Sequence, residues 1–265
     1  MQKISVAIPV YNSSKYLNHL IKRLTRLKTV GEIIIYDDFS DKKDYENTKK
    51  IVNKYSKTDL PLYIYQNTEN LGAFKTKYNA IKKCSYDIVY QIDSDNLPMF
   101  GFDKFVENYI LKNFNSENIY YPSKIFQFYN FPYLSIFTSI FNKKYRVFLQ
   151  NEDSISDKNI IKESLINNQK ITFEKNIRWL TNIGNFFVNR KMFLNAMTEG
   201  LSLEKNKLIV DAVAITYYWI KNFNGVEQKK HHYHFHRKRT DSVSIVTKNV
   251  SDDNFLMFEE KIKLL

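Results

Sequence analysis

The sequence predicts an α/β fold in which a mostly parallel sheet carries helices on both faces, and three observations support it. Short, almost wholly apolar segments alternate with segments of helical period through roughly the first hundred residues. The apolar segments are rich in β-branched and aromatic residues, as strands buried on both faces are. Three of them end in polar clusters, and in a parallel sheet those ends lie along one rim.

Ile4-Ser5-Val6-Ala7-Ile8-Pro9-Val10 reads as the first strand, followed by the turn Tyr11-Asn12-Ser13-Ser14. Leu17, Leu20, Ile21, Leu24 and Leu27 then recur at the spacing of one apolar helical face. Glu32 to Tyr36 is a second strand, ended by Asp37-Asp38-Phe39-Ser40-Asp41, and a polar helix covers residues 42 to 56. Pro61 to Gln66 is a third strand, after which Asn70-Leu71-Gly72 leads into a helix with Ala73, Ala80, Ile81 and Cys84 on one face. Tyr86 to Ile92 is a fourth, running into Asp93-Ser94-Asp95-Asn96. A helix bearing Phe102, Phe105, Val106, Tyr109 and Ile110 follows, then a strand over Asn118 to Pro122. Further on, Gly184 to Arg190 reads as a strand entering a helix from Lys191 to Met197, and residues 207 to 223 as another helix. Phe255, Phe258, Ile262 and Leu265 mark a final amphipathic helix.

Asp93 and Asp95, one residue apart at a strand end, offer hard oxygen ligands close enough to share one Mg²⁺ or Mn²⁺. Asp, Ser and Asn also form turns, so alone the pattern fits a solvated strand exit. The convergence of Pro9-Val10-Tyr11-Asn12, Asp37-Asp38 and Asp93-Ser94-Asp95 on one rim favours a binding site. Asp211, set among Ile209, Val210, Ala212 and Val213, reads either as a helix-dipole partner or as a site acid. The run from His231 to Arg239 holds four of the 5 histidines, and strand alternation places His232, His234 and His236 on one face. A zinc site, a phosphate clamp and a polar strand face all fit that run.

With 265 residues and 43% hydrophobic content, the chain is read as one domain, 1–265, with halves at 1–122 and 123–265. A net charge of +12 points to anionic partners: nucleic acid, an anionic membrane surface or phosphorylated small molecules. A rim lined with carboxylates counts against nucleic acid. The single cysteine, Cys84, excludes a disulfide framework and fits a cytoplasmic setting. Met1-Gln2-Lys3 enters the first strand with no secretory signal, and no apolar run is long enough for a membrane span. Residues 125 to 149 combine Phe126, Phe128, Tyr129, Phe131, Tyr133, Phe137 and Phe141 with Lys143, Lys144 and Arg146. An interfacial segment touching a membrane or lipid-linked acceptor is one reading; the lack of a clean helical period favours core and lid packing.

Taken in order, these motifs resemble family 2 glycosyltransferases, inverting nucleotide-sugar transferases of GT-A fold. The resemblance runs through Pro9-Val10-Tyr11-Asn12, Asp37-Asp38-Phe39-Ser40, Asn70-Leu71-Gly72 with Lys77-Tyr78-Asn79, and Asp93-Ser94-Asp95. It continues through Gly184-Asn185-Phe186-Phe187 and closes with His236-Arg237 followed by Ser242-Val243-Ser244. It implies that 1–122 binds the donor, with a UDP-sugar favoured, and that 123–265 binds the acceptor and closes over the site. Pro9, Tyr11, Asp37 and Asp38 would form the base pocket, Asp38 accepting the uracil-type N–H. Lys77, Asp93, Ser94 and Arg237 would hold the rest of the donor, Arg237 closing over the diphosphate. Asp93 and Asp95 would bind Mn²⁺ or Mg²⁺, with His234 or His236 as a third ligand. Asp211 resembles the catalytic base, although Val210 stands where the family usually has Glu; Phe39 stands where many members have Gly. The implied acceptor is a glycan or lipid-linked glycan of surface polysaccharide synthesis, at the inner face of the membrane. Residues 123 to 182 would select it, with Trp179 either a sugar-stacking platform or a core residue. A sugar nucleotidyltransferase would instead need a Gly-rich basic loop after the first strand, which Pro9-Val10-Tyr11-Asn12-Ser13 is not.

Overall fold

A computed structural model of the chain describes residues 2–128, 146–148, 153–166, 184–202, 211–223, 225–239, 257–258 and 260–265. The first part follows the expected alternation: β1 (Ile4–Val10), α1 (Ser14–Leu24), β2 (Val30–Asp37), α2 (Lys42–Tyr55), β3 (Leu62–Gln66), α3 (Ala73–Lys83) and β4 (Ile88–Gln91). These strands lie side by side as β3-β2-β1-β4, all parallel. The chain winds outward from β1 to β3 and then returns to the other side of β1. The topological switch point therefore falls between β1 and β4, where open α/β sheets bind ligands.

Beyond β4 come β5 (Leu97–Pro98), a short helix α4 (Phe102–Phe105), a π-helical turn (Val106–Ile110), α5 (Leu111–Asn113) and β6 (Asn118–Phe128). They are followed by β7 (Arg146–Phe148), β8 (Ser154–Asp157), α6 (Lys158–Ile166), β9 (Phe186–Asn189), α7 (Arg190–Met197), α8 (Asp211–Asn222) and β10 (Gly225–Arg237). One sheet joins both parts in the order β3-β2-β1-β4-β9-β6-β10-β5, with β7 on β6 and β8 on β10. β9 runs antiparallel to β4 and β6, whereas β10 runs parallel to β6.

The strand period decides which residues meet which layer. Ile4, Val6, Ile8 and Val10 of β1 join α1, Val52 of α2 and Phe102 and Phe105 of α4 in one core, while Ala7 turns to the opposite core with α3, α7 and α8. Each fully buried Leu, Ile or Phe in these layers contributes about 1.5–3 kcal/mol. Glu32, inside an otherwise apolar strand, is buried because Ser5 Oγ (2.6 Å), Ser85 N (2.5 Å) and Ser85 Oγ (2.5 Å) all donate to its carboxylate. This polar knot ties β1, β2 and the entry to β4 at the sheet end remote from the rim.

Several expectations are corrected. Ala73 is exposed, and Phe74, Thr76 and Lys77 turn inward instead, because the helix starts at Ala73 and its buried stripe begins one residue later. The strand expected at 118–122 extends to Phe128, and the histidine strand begins at Gly225, since the two pair along most of their length. Their register shifts between Lys229 and Tyr233, where Ser123 Oγ donates to the carbonyls of both Lys230 and His232. That irregularity breaks the alternation. His232 enters an aromatic cluster with Phe105 (5.1 Å) and Phe187 (5.2 Å), leaving His234 and His236 as the facing pair, 6.0 Å apart. Tyr129 to Lys144, Trp179, Val210, Ser242 to Ser244 and Phe255 lie outside the described residues, as does most of the expected acceptor-selecting stretch. Among the described residues no helix is long and apolar enough to cross a membrane.

Candidate active site

The rim at the carboxyl ends of β1, β2 and β4 gathers the residues singled out in the sequence. Two turns frame it. Asn12 (φ 46°) and Phe39 (φ 62°) both adopt left-handed backbone, and the turns are laced by Asn12 N to Ser40 Oγ (2.8 Å) and Asp41 N to Asn12 Oδ1 (2.9 Å). Asn tolerates this conformation; Phe does so at a cost, which explains why glycine suits that position. Pro9 is half-buried in β1, and Tyr11 stands 47% exposed on the rim.

Asp38 is buried, and its carboxylate accepts from Asn67 Nδ2 (2.8 Å), Leu71 N (2.8 Å) and Gly72 N (2.9 Å). Only one acceptor position remains, on Oδ2. Asp38 therefore fixes the loop entering α3 as well as facing the rim. Asn67 extends the network to Thr76 Oγ1 (3.0 Å) and Asn79 Nδ2 (3.0 Å), so the position of α3, and of Lys77 on it, is set from β2. Asp37 is likewise committed, accepting from Ser40 N (2.9 Å) and Gln66 Nε2 (3.0 Å).

Lys77 is the junction of the site. Its ammonium is 2.9 Å from Asp93 Oδ1, contacts Asp211 Oδ2 and donates to the Gly184 carbonyl at 3.3 Å. Burial alone would push the lysine pKa down, but Asp211 and Asp93 outweigh it and hold the group charged, with its pKa above the ordinary value. Residues from α3, the β4 exit, the β9 entry and the N-terminus of α8 are thus drawn to one point. A Cβ at Gly184 would fall 2.3 Å from Asp93 Oδ2, so a larger residue there would displace that carboxylate from its place beside Lys77. Asn185 beside it accepts from Asp93 N at 2.9 Å and keeps a buried Nδ2 without a partner among the described residues.

Asp95 is held differently. Its Oδ2 lies 3.0 Å from Arg239 Nη1, and its backbone carbonyl accepts from Arg237 Nε at 3.1 Å. Burial and the neighbouring Asp93 raise its pKa, with Arg239 and His236 opposing. Arg237 is buried, its guanidinium over Tyr16 (4.7 Å) and Phe128 (4.5 Å), and its N–H donates to Asn96 Oδ1 at 3.1 Å. Ser94 Oγ shares a 2.7 Å hydrogen bond with Ser13 Oγ, which ties the β4 exit to the start of α1.

Among the described residues, no group of three or more His, Cys, Asp or Glu side chains is gathered closely enough to hold a metal ion. His234 is buried with its Nδ1 unpartnered among the described residues, and its pKa falls well below the ordinary value through burial and its histidine neighbours. The carboxylates of Asp93 and Asp95 fit Mg²⁺ or Mn²⁺, cations bound through one or two carboxylates plus substrate phosphates. Sequence reasoning passed over Arg239, Asn96 and Gly184 as individual residues. For Arg239 the signal was present, two residues after Arg237 on the same strand exit; Asn96 and Gly184 act through backbone proximity that spacing does not report.

Residues 5–197, which include the switch point, the aspartate pair and the buried lysine, match the family model described as glycosyl transferase family 2. The chain belongs to that family and is a glycosyltransferase of GT-A fold. It is similar to the poly(ribitol-phosphate) beta-N-acetylglucosaminyltransferase TarS of Staphylococcus aureus strains Mu50 and MW2. Each is 35% identical over 100 residues, covering 36% of this chain and 17% of the relative. Among solved structures, S. aureus TarS 1–349 in complex with UDP-GlcNAc superposes with a TM-score of 0.65 at 18% identity, covering 98% of this chain and 65% of that one. The same protein in complex with UDP gives 0.64 at 17% identity, with 98% and 64% covered. The matched region is therefore a minor part of the curated relatives' length, and the structural likeness speaks for the fold.

Proposed function

We propose that the chain transfers a sugar from a nucleoside-diphosphate sugar, a UDP-sugar first among them, to a hydroxyl of a glycan or lipid-linked glycan, inverting the anomeric configuration. The observation that carries this is Lys77 clamping Asp93 and Asp211 together at the switch point. The relatives' names make UDP-GlcNAc the first donor to test and a poly(ribitol-phosphate) the first acceptor.

In this reading Tyr11 and Pro9 bear on the base and the last acceptor position of Asp38 takes its N–H. Asp211 Oδ2 is held by Lys77, so Oδ1 is the oxygen that takes the proton from the acceptor hydroxyl as it attacks the anomeric carbon. No second carboxylate is needed as a nucleophile, and a single displacement inverts the centre. Arg237 and Arg239 supply positive charge where the diphosphate departs, an electrostatic contribution made without covalent chemistry. Asp93 and Asp95 would hold Mn²⁺ or Mg²⁺, which when bound neutralises charge on the diphosphate oxygens. One globular unit with donor-side and acceptor-side parts, active at a cytoplasmic membrane face, completes the proposal. Release of UDP from UDP-GlcNAc, with and without a glycan acceptor, tests it. Asp211→Asn is expected to keep UDP binding while turnover falls about 10²–10⁴-fold; normal turnover would place the base elsewhere.

A further inference from the structure

A second concavity lies away from the rim, between the α4 segment and strands β6 and β10, with a volume of about 470 Å³. Its floor is aromatic: Phe100, Tyr109, Phe126 and Tyr233 line it. Around them stand Lys104, Lys124, Lys230 and His231, and no Asp or Glu lines it among the described residues. Phe100 is 51% exposed yet fixed, its ring under the Arg23 guanidinium at 4.4 Å and its carbonyl accepting from Tyr233 Oη at 3.4 Å. What sets Phe100 apart from other exposed apolar residues is its place in one groove with Tyr109, Phe126 and Tyr233.

The wall of this groove carries an independent sign of use. Asn108 and Tyr109 line it from the π-helical turn Val106–Ile110, where Leu111 N donates to the Val106 carbonyl. An inserted π turn weakens a helix and recurs at functional sites, because the extra residue re-aims side chains. Here it brings Tyr109 beside Phe105 at 5.4 Å and near His231 at 5.9 Å.

We propose that this groove docks the chain on a bilayer surface carrying anionic lipid headgroups. Aromatic rings partition into the headgroup boundary, and lysines at the edge of an apolar patch meet the phosphates while their stems cover it. Among the described residues the lining carries Lys104, Lys124, Lys230 and His231 and no carboxylate, which is the charge complementarity such a surface asks for. This inference rests on the membrane-face setting proposed above and gives it a surface; the vesicle test reads binding and not transfer, so its failure leaves the transferase chemistry standing.

The test is co-sedimentation of the full chain at physiological salt with vesicles of equal phosphatidylglycerol and phosphatidylcholine, against phosphatidylcholine alone. Binding to the anionic vesicles only is expected. Lys104→Glu with Lys230→Glu should weaken it by about 30-fold or more, from about 1 kcal/mol for each basic residue at the surface. Phe100→Ser should weaken it while leaving the thermal melt in place. Lys42→Glu with Lys43→Glu, the same charge change on the exposed start of α2, should retain most of the binding. Equal loss in that control would reduce the effect to net charge and overturn the groove; so would no binding by the wild type, or equal binding to both vesicles. A second readout needs no variant: anionic vesicles should protect Lys104 and Lys230 from reductive methylation more than Lys42. Protection by a soluble polyanion but not by vesicles would assign the groove to another ligand and sink the proposal.

Discussion

A lysine side chain only 3% exposed is tolerated at Lys77 because two carboxylates and a carbonyl oxygen surround its ammonium. Lys77→Met removes that centre and leaves Asp93 and Asp211 facing each other. Stability measured by urea unfolding is expected to fall by about 3 kcal/mol; an unchanged value would mean that the three groups are not joined in solution. Phe39 makes a different prediction. Its left-handed backbone costs an L-residue about 1–2 kcal/mol, partly offset by the entropy glycine would lose. Phe39→Gly should therefore raise stability by about 1 kcal/mol or less, and a loss of stability would show that the exposed ring repays the strain. Lys77, Asp38 and Asp93 were legible as residues, but not the commitments of Asp38 to three N–H groups or of Ser94 to Ser13, which are made across 29 or more positions of sequence.

At the scale of elements, α1, α3 and the strands β1 to β4 were readable because burial on one stripe or both faces imposes a period of its own. What spacing did not report is where a period fails. The register shift in β10 and the π turn after α4 both insert residues into a regular ladder, and each alters the neighbours of a functional side chain. His232 shows the consequence. Burial in the Phe105 and Phe187 cluster pushes its pKa down to about 3. The unfolded chain binds a proton there below about pH 6.5 while the folded chain does not until near pH 3, so stability is present above pH 6.5 and is lost as pH falls through that window. His234, depressed in the same direction, adds to the effect. Urea unfolding at pH 7 and pH 5 should show a loss of up to about 1.4 kcal/mol per pH unit from each histidine. A flat profile would contradict the burial of both.

Across the whole molecule, the alternation of strands and helices with polar ends foretold the sheet and the rim, and the family follows from their order. The union of both parts in one sheet was less legible, because β4 with β9 and β6 with β10 are joined by pairings between residues about a hundred positions apart. Two surfaces emerge on that sheet, a carboxylate-lined rim at the switch point and a lysine-edged aromatic groove between α4, β6 and β10. The central claim is that the rim binds a nucleoside diphosphate through the aspartate pair with a divalent cation. Calorimetric titration of UDP with and without Mn²⁺, on the wild type and Asp95→Ala, tests it most directly. The account predicts Mn²⁺-dependent binding that weakens at least about tenfold in the variant, the equivalent of about 1.4 kcal/mol. UDP affinity that is the same without Mn²⁺ and in Asp95→Ala would contradict it.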